Sequence, residues 1–80
     1  MAAKNKEYII EIFKTNGSVV REYIGNNQRA NIVKQIKKHK KGDSEDSFEF
    51  IGLWSRDYRY IFYEDTSSIK ISRRQYGKAT

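Results

Sequence analysis

Eighty residues with sixteen lysines and arginines against ten acids, a net charge of +6, make one basic domain with no room for a second core. With no cysteine and 38% hydrophobic residues, stability must come from packing a few large side chains, which excludes a disulfide framework and thiolate-bound zinc. No apolar run reaches signal-peptide or membrane-spanning length, so the chain reads as a soluble cytoplasmic protein without a membrane partner.

Residues 1–6 and 75–80 lack periodicity and read as flexible termini. From Tyr8 to Phe13 and from Val19 to Ile24 the chain is β-branched and aromatic, and Asn16-Gly17 between the two runs is a strong hairpin signal. Two registers compete. A two-residue Asn16-Gly17 turn sets Glu11 opposite Glu22, whereas a three-residue Thr15-Asn16-Gly17 loop with Gly17 left-handed sets Glu11 opposite Arg21 and Phe13 opposite Val19. Like charges across a strand pair repel, which favours the second.

Gly25-Asn26-Asn27 breaks the second strand, and either asparagine can cap the helix expected over 28–41. At 100° per residue, Arg29, Ile32, Val33, Ile36 and Lys40 share one face, and Lys34, Lys37, Lys38 and Lys41 share the opposite one. Arg29, Lys34, Lys37, Lys38, Lys40 and Lys41 are six positive charges with no acid among them. Gly42 is placed to end the helix in a left-handed conformation, and 42–47 forms an acidic loop. Strands are then expected over 48–54, 58–64 and 69–73, with turns at Ser55-Arg56-Asp57 and 65–68. The fold class is α+β: an antiparallel sheet of about five strands in the order ββαβββ, with one main helix packed on one face.

Residues 48–63 hold Phe48, Phe50, Trp54, Tyr58, Tyr60, Phe62 and Tyr63, seven of the eleven aromatics of the chain. A Ser55-Arg56-Asp57 turn pairs Trp54 with Tyr58 and puts the even-numbered aromatics on one sheet face, with Ile51, Leu53 and Ile61 on the other. A fifth strand beside them adds Lys70, Ser72 and Arg74, giving rings edged by cations, a surface suited to stacking unpaired bases. A two-residue Arg56-Asp57 turn reverses the parity and gathers Ile51, Leu53, Tyr60 and Phe62 instead. Phe48, Phe50 and Phe62 have no polar atom and fit a core better than a platform, while Trp54, Tyr58 and Tyr60 have polar handles that suit either role.

Charge runs are commonly solvated helix faces that keep a small protein soluble. Such faces usually mix signs, and this one does not, which favours anion contact. Lysines meet phosphate as point charges and carry no base information, so Lys34, Lys37, Lys38 and Lys41 point to largely sequence-independent nucleic-acid binding. Arg56, Arg59, Arg73 and Arg74 suit forked phosphate contacts, with ordinary pairing to Asp57, Glu64 and Asp65 as the alternative. Trp54, Tyr58 and Tyr60 complete the candidate set. His39, the one histidine, is placed at the edge of the apolar stripe. No metal-ligand spacing, phosphate loop or nucleophile–base set is present, so neither a cofactor nor catalysis is expected.

The stretch YRYIFYEDTSSIKISRRQY, Tyr58 to Tyr76, resembles the last hairpin of RelE-type ribosome-dependent ribonuclease toxins, and that likeness implies acid–base and charge-stabilising roles for Arg73, Arg74 and Tyr76. Those toxins place helices directly after the first strand, where this chain has a hairpin. The competing non-enzymatic function is a small regulatory or inhibitory protein, of the kind that phages and mobile elements encode, docking on an acidic protein surface. An unclosed sheet edge also allows a homodimer.

Overall fold

A computed structural model describes residues 7–74; the expected flexible termini and Tyr76 lie outside the described residues. The chain runs β1 (Glu7–Lys14), β2 (Val19–Gly25), α1 (Asn26–Lys40), β3 (Ser47–Ile51), β4 (Tyr58–Phe62), a 3-10 turn (Tyr63–Asp65) and β5 (Thr66–Arg73). The α+β class and the ββαβββ order hold, but the five strands divide into two antiparallel sheets, β2-β1-β5 and β3-β4.

The first hairpin takes the three-residue loop. Glu11 pairs with Arg21 and Phe13 with Val19, Gly17 sits at φ +93°, and its amide bonds the Lys14 carbonyl. The Glu11 carboxylate accepts from Arg21 at 2.6 Å, so opposite charges sit where the other register would place two glutamates.

The expected single sheet fails at β5, which pairs with β1 rather than β4. Ile12 faces Ile69, Ile10 faces Ile71 and Glu11 faces Lys70, so the alternation of residues 68–72 matches β1 in both apolar and charged positions. The 3-10 turn redirects the chain, and Thr15 donates its amide to the Asp65 carbonyl to hold the corner. Tyr58 to Arg73 is therefore not a hairpin, and the resemblance to the toxins' last hairpin does not survive as a structural match.

β3 and β4 also pair in the reversed parity, with Phe48 opposite Ile61, Glu49 opposite Tyr60 and Ile51 opposite Tyr58. The cause is a loop longer than the expected Ser55-Arg56-Asp57 turn. β3 stops at Ile51, Gly52 donates to the Asp57 carbonyl and accepts from the Arg56 amide, and Arg56 supplies the left-handed residue at φ 62°. Phe48 and Phe50 turn inward, while Ile51, Tyr58, Tyr60 and Phe62 lie on the outer face. Only β3 is thus reversed: Phe48 and Phe50 join Ile61 inside and Ile51 joins Tyr58, Tyr60 and Phe62 outside, the grouping of Ile51, Tyr60 and Phe62 that the reversed parity entails, with Phe62 exposed rather than in the core.

The core consists of Ile10 and Ile12 from β1, Ile24 from β2, Ile32 from α1, Phe48 and Phe50 from β3, and Ile61 from β4. Gly25, in an extended conformation, is the N-cap of α1, and neither Asn26 nor Asn27 caps it through a side chain; both lie in the first turn. At the other end Gly42, at φ +99°, donates to the His39 carbonyl and Asp43 donates to that of Lys38, the paired bonds that terminate a helix through a left-handed glycine.

Candidate nucleic-acid interface

The buried stripe of α1 centres on Ile32, flanked by half-buried Gln28, Arg29, Val33, Gln35, Ile36 and His39. Lys40, expected beside the apolar residues, is exposed. Two glutamines do what the sequence reading assigned to aliphatic contacts. Gln35 donates to the Glu49 carbonyl at 2.9 Å and accepts from the Glu49 amide at 3.2 Å, and Gln28 accepts from the Ile51 amide at 3.1 Å. These amides stand in for a neighbouring strand along the free edge of β3. Being polar, they do not belong to the apolar stripe; their spacing of seven, two helical turns on one face, is the signal that the sequence carries for them.

With that edge against the sheet, Lys34, Lys37 and Lys41 point the opposite way; they, Lys38 and Lys40 are all exposed, and Lys38 stands at the side of the helix, in the groove that Asp43, Glu45 and Glu49 also line. None of the five pairs with a carboxylate among the described residues. The ion pairs among the described residues all belong to arginines: Arg21 with Glu11, Arg59 with Glu22 and Arg74 with Glu7. Arg29, the remaining cation of the run, lies 4.9 Å over the Tyr8 ring and fastens the helix to β1.

The other candidate residues are dispersed. Arg59 donates through both Nε and Nη2 to the buried Glu22 carboxylate, at 2.9 and 2.7 Å, and Ser55 adds a hydroxyl bond at 3.1 Å. This network joins β2 to the β3–β4 hairpin. Arg74 is held by Glu7 and stacks 4.8 Å over Tyr23. Arg73 is exposed on β5. Trp54 and Arg56 line a cleft of about 610 Å³ at the N-terminal end of α1, with Leu53 and Gln28. The lysines occupy the C-terminal half of the helix, so the charge cluster lies roughly 9 to 20 Å along the axis from the cleft that Trp54 and Arg56 line.

Tyr58 and Tyr60 do share an exposed aromatic face, with ring centroids 5.1 Å apart, but its rim is anionic. Glu49 stands on that face and accepts the Tyr58 hydroxyl, a bond that holds the phenol well above the usual tyrosine range. A groove beside Tyr60 is lined by Asp43, Glu45 and Glu49 against the single lysine Lys38. Lys70, Ser72 and Arg74 lie on the other sheet, so the cation-edged platform expected from the sequence does not form.

His39 stacks on Tyr63 with centroids 3.6 Å apart, at the edge of the buried stripe as expected. Burial pushes the Tyr63 phenol up, and Asp43 and Glu45 add to the shift. Among the described residues no cluster of three or more potential metal ligands occurs, and no helix is long and apolar enough to cross a membrane. Comparison with protein families, curated proteins and solved structures matches the chain to none of them.

Proposed function

We propose that this protein binds nucleic acid through sequence-independent phosphate contacts made by Lys34, Lys37, Lys38 and Lys41, with Lys40 reinforcing the field. The observation that supports the reading is one-sidedness. Three arginines hold Glu7, Glu11 and Glu22, while Lys34, Lys37, Lys40 and Lys41 are exposed with no ion-pair partner among the described residues, and Lys38, likewise unpaired, sits at the rim of the acidic groove. Such a face concentrates positive potential where a phosphate backbone can displace counterions from several amines at once. Base stacking is not part of the proposal, because Glu49, Glu45 and Asp43 edge the aromatic face and would repel the phosphates flanking a stacked base.

Fluorescence anisotropy with labelled duplex and single-stranded 20-mers tests this. Three to four phosphate contacts predict a log–log salt slope of about −3 and an affinity loss of roughly 40- to 150-fold between 50 and 200 mM salt. Replacing Lys34, Lys37, Lys38 and Lys41 by Gln abolishes binding, and replacement by Arg preserves it. Trp54 fluorescence stays unquenched, since its ring lies at the other end of the helix. Absence of binding at 50 mM salt, or equal competition by polyglutamate, overturns the proposal, the latter in favour of an acidic protein partner.

A further inference from the structure

The three-stranded sheet and the two-stranded ribbon leave their outer edges in different states. Gln28 and Gln35 cover the β3 edge, and the Leu53 amide bonds the Tyr23 carbonyl on the outer edge of β2. β5 carries Lys70, Arg73 and three serines along its outer edge, the usual protection of an edge against pairing. β4 has none of these devices. Its one charge, Arg59, is turned inward onto Glu22.

The register shows which backbone groups are free. Because Gln28 and Gln35 reach the amides of Ile51 and Glu49 from outside, those residues form the non-hydrogen-bonded pairs with Tyr58 and Tyr60. The N–H and C=O of Tyr58 and Tyr60 therefore point away from β3, and no strand of the described chain lies beside them. Above this open edge stand Tyr58, Tyr60 and Phe62, 54, 58 and 46% exposed. At about 200 Å² per aromatic side chain, these three leave on the order of 300 Å² of ring surface in water, the size of patch that commonly marks an interaction site.

We infer that β4 pairs antiparallel with β4 of a second copy, joining two ribbons into one four-stranded sheet. A two-fold axis through Tyr60 sets Tyr60 opposite its own equivalent and Tyr58 opposite Phe62 of the second copy, outward group against outward group over the whole strand. The ends of the strand are complementary as well. Exposed Arg56 precedes β4 and exposed Glu64 follows it, and neither has an ion-pair partner among the described residues. Antiparallel pairing brings each Arg56 towards Glu64 of the other copy, an attraction that the neighbouring Asp57 tempers.

Edge pairing is favoured over stacking the two outer faces, because stacking would bury Glu49 in the middle of the contact. It also suits the charge distribution. α1 covers β3 on the side away from β4, so the two lysine faces stand at opposite ends of the joint sheet, where their repulsion is least. The contact is below the standard interface size, which makes the dimer a weak one. It does not depend on nucleic-acid binding.

Sedimentation equilibrium of the full chain at 50 mM salt, without nucleic acid, reads the association. The expected result is a concentration-dependent shift from the 9.5 kDa monomer toward twice that mass. Tyr60→Lys, on an exposed site, weakens the dimer at least tenfold while circular dichroism stays unchanged. Arg56→Glu and Glu64→Arg each weaken it severalfold, and the double reversal restores it, a rescue that only the two-fold antiparallel register provides. A monomer up to about 1 mM overturns the inference, as does a dimer indifferent to Tyr60→Lys or one that the double reversal fails to restore.

Discussion

Replacing Gly52 by alanine should destabilise the fold more than any other change of a single methyl group. A Cβ at this position would lie 2.4 Å from the Ser55 hydroxyl, 2.5 Å from Glu22 Oε1 and 3.0 Å from its carboxyl carbon. The carboxylate cannot yield cheaply, since Arg59 holds its other oxygen with two bonds and the side chain is only 8% exposed. Ser55 can rotate, but then loses its bond to Glu22 and the one it accepts from the Asp57 amide. Overpacking costs about 1–3 kcal/mol, and a lost hydrogen bond to a charged group adds about 1.5, for a total of roughly 2.5–4.5 kcal/mol. In a domain of this size that lowers Tm by about 10–35 °C. Urea unfolding followed by circular dichroism measures it, with Ser55→Ala as the reference and Gly52→Ala/Ser55→Ala expected to recover part of the loss. Stability of Gly52→Ala within about 0.5 kcal/mol of the parent would refute the close packing of loop and carboxylate.

The same network predicts that Arg59→Met costs about 2–4 kcal/mol by leaving the Glu22 carboxylate buried without its cation, whereas Glu22→Leu/Arg59→Met lies within about 1 kcal/mol of the parent; urea midpoints decide, and equal losses in both would discount the pair. Gln35→Leu strips two hydrogen bonds from the β3 edge and should cost about 1–2 kcal/mol, with faster amide exchange at Glu49 as its local signature. Tyr58 and Tyr63 are both held above the ordinary tyrosine range, Tyr58 chiefly by its bond to Glu49 and Tyr63 by burial. The folded state thus keeps these protons more tightly than the unfolded chain, so their contribution is complete below about pH 10 and is lost as pH rises further. Tyrosinate absorbance at 295 nm should show two late-titrating rings, one of which returns toward pH 10 in Glu49→Gln; an unchanged titration curve would count against the Tyr58–Glu49 bond.

Local chemistry settles several elements of this fold. Asn16-Gly17 and the Glu11–Arg21 preference determined the first hairpin and its register, because turn conformation and cross-strand charge act between residues close in sequence. Gly42 ended the helix for the same kind of reason, and the lysine face followed from the helical period. The partner of β5 was not legible, because β4 was nearer in sequence while β1 matched its alternation of isoleucine and charge. The parity of the β3–β4 ribbon turned on where the loop began, and that depended on Gly52 fitting against Glu22, thirty positions earlier. That one choice sent Phe48 and Phe50 inward and Ile51 outward, while Tyr58, Tyr60 and Phe62 kept the outer face opposite Ile61. The chain alone therefore determined where positive charge gathers, since that depends on the helical period. Tertiary structure decided which arginines remain free and which aromatics meet solvent, since both depend on contacts between residues far apart in the chain.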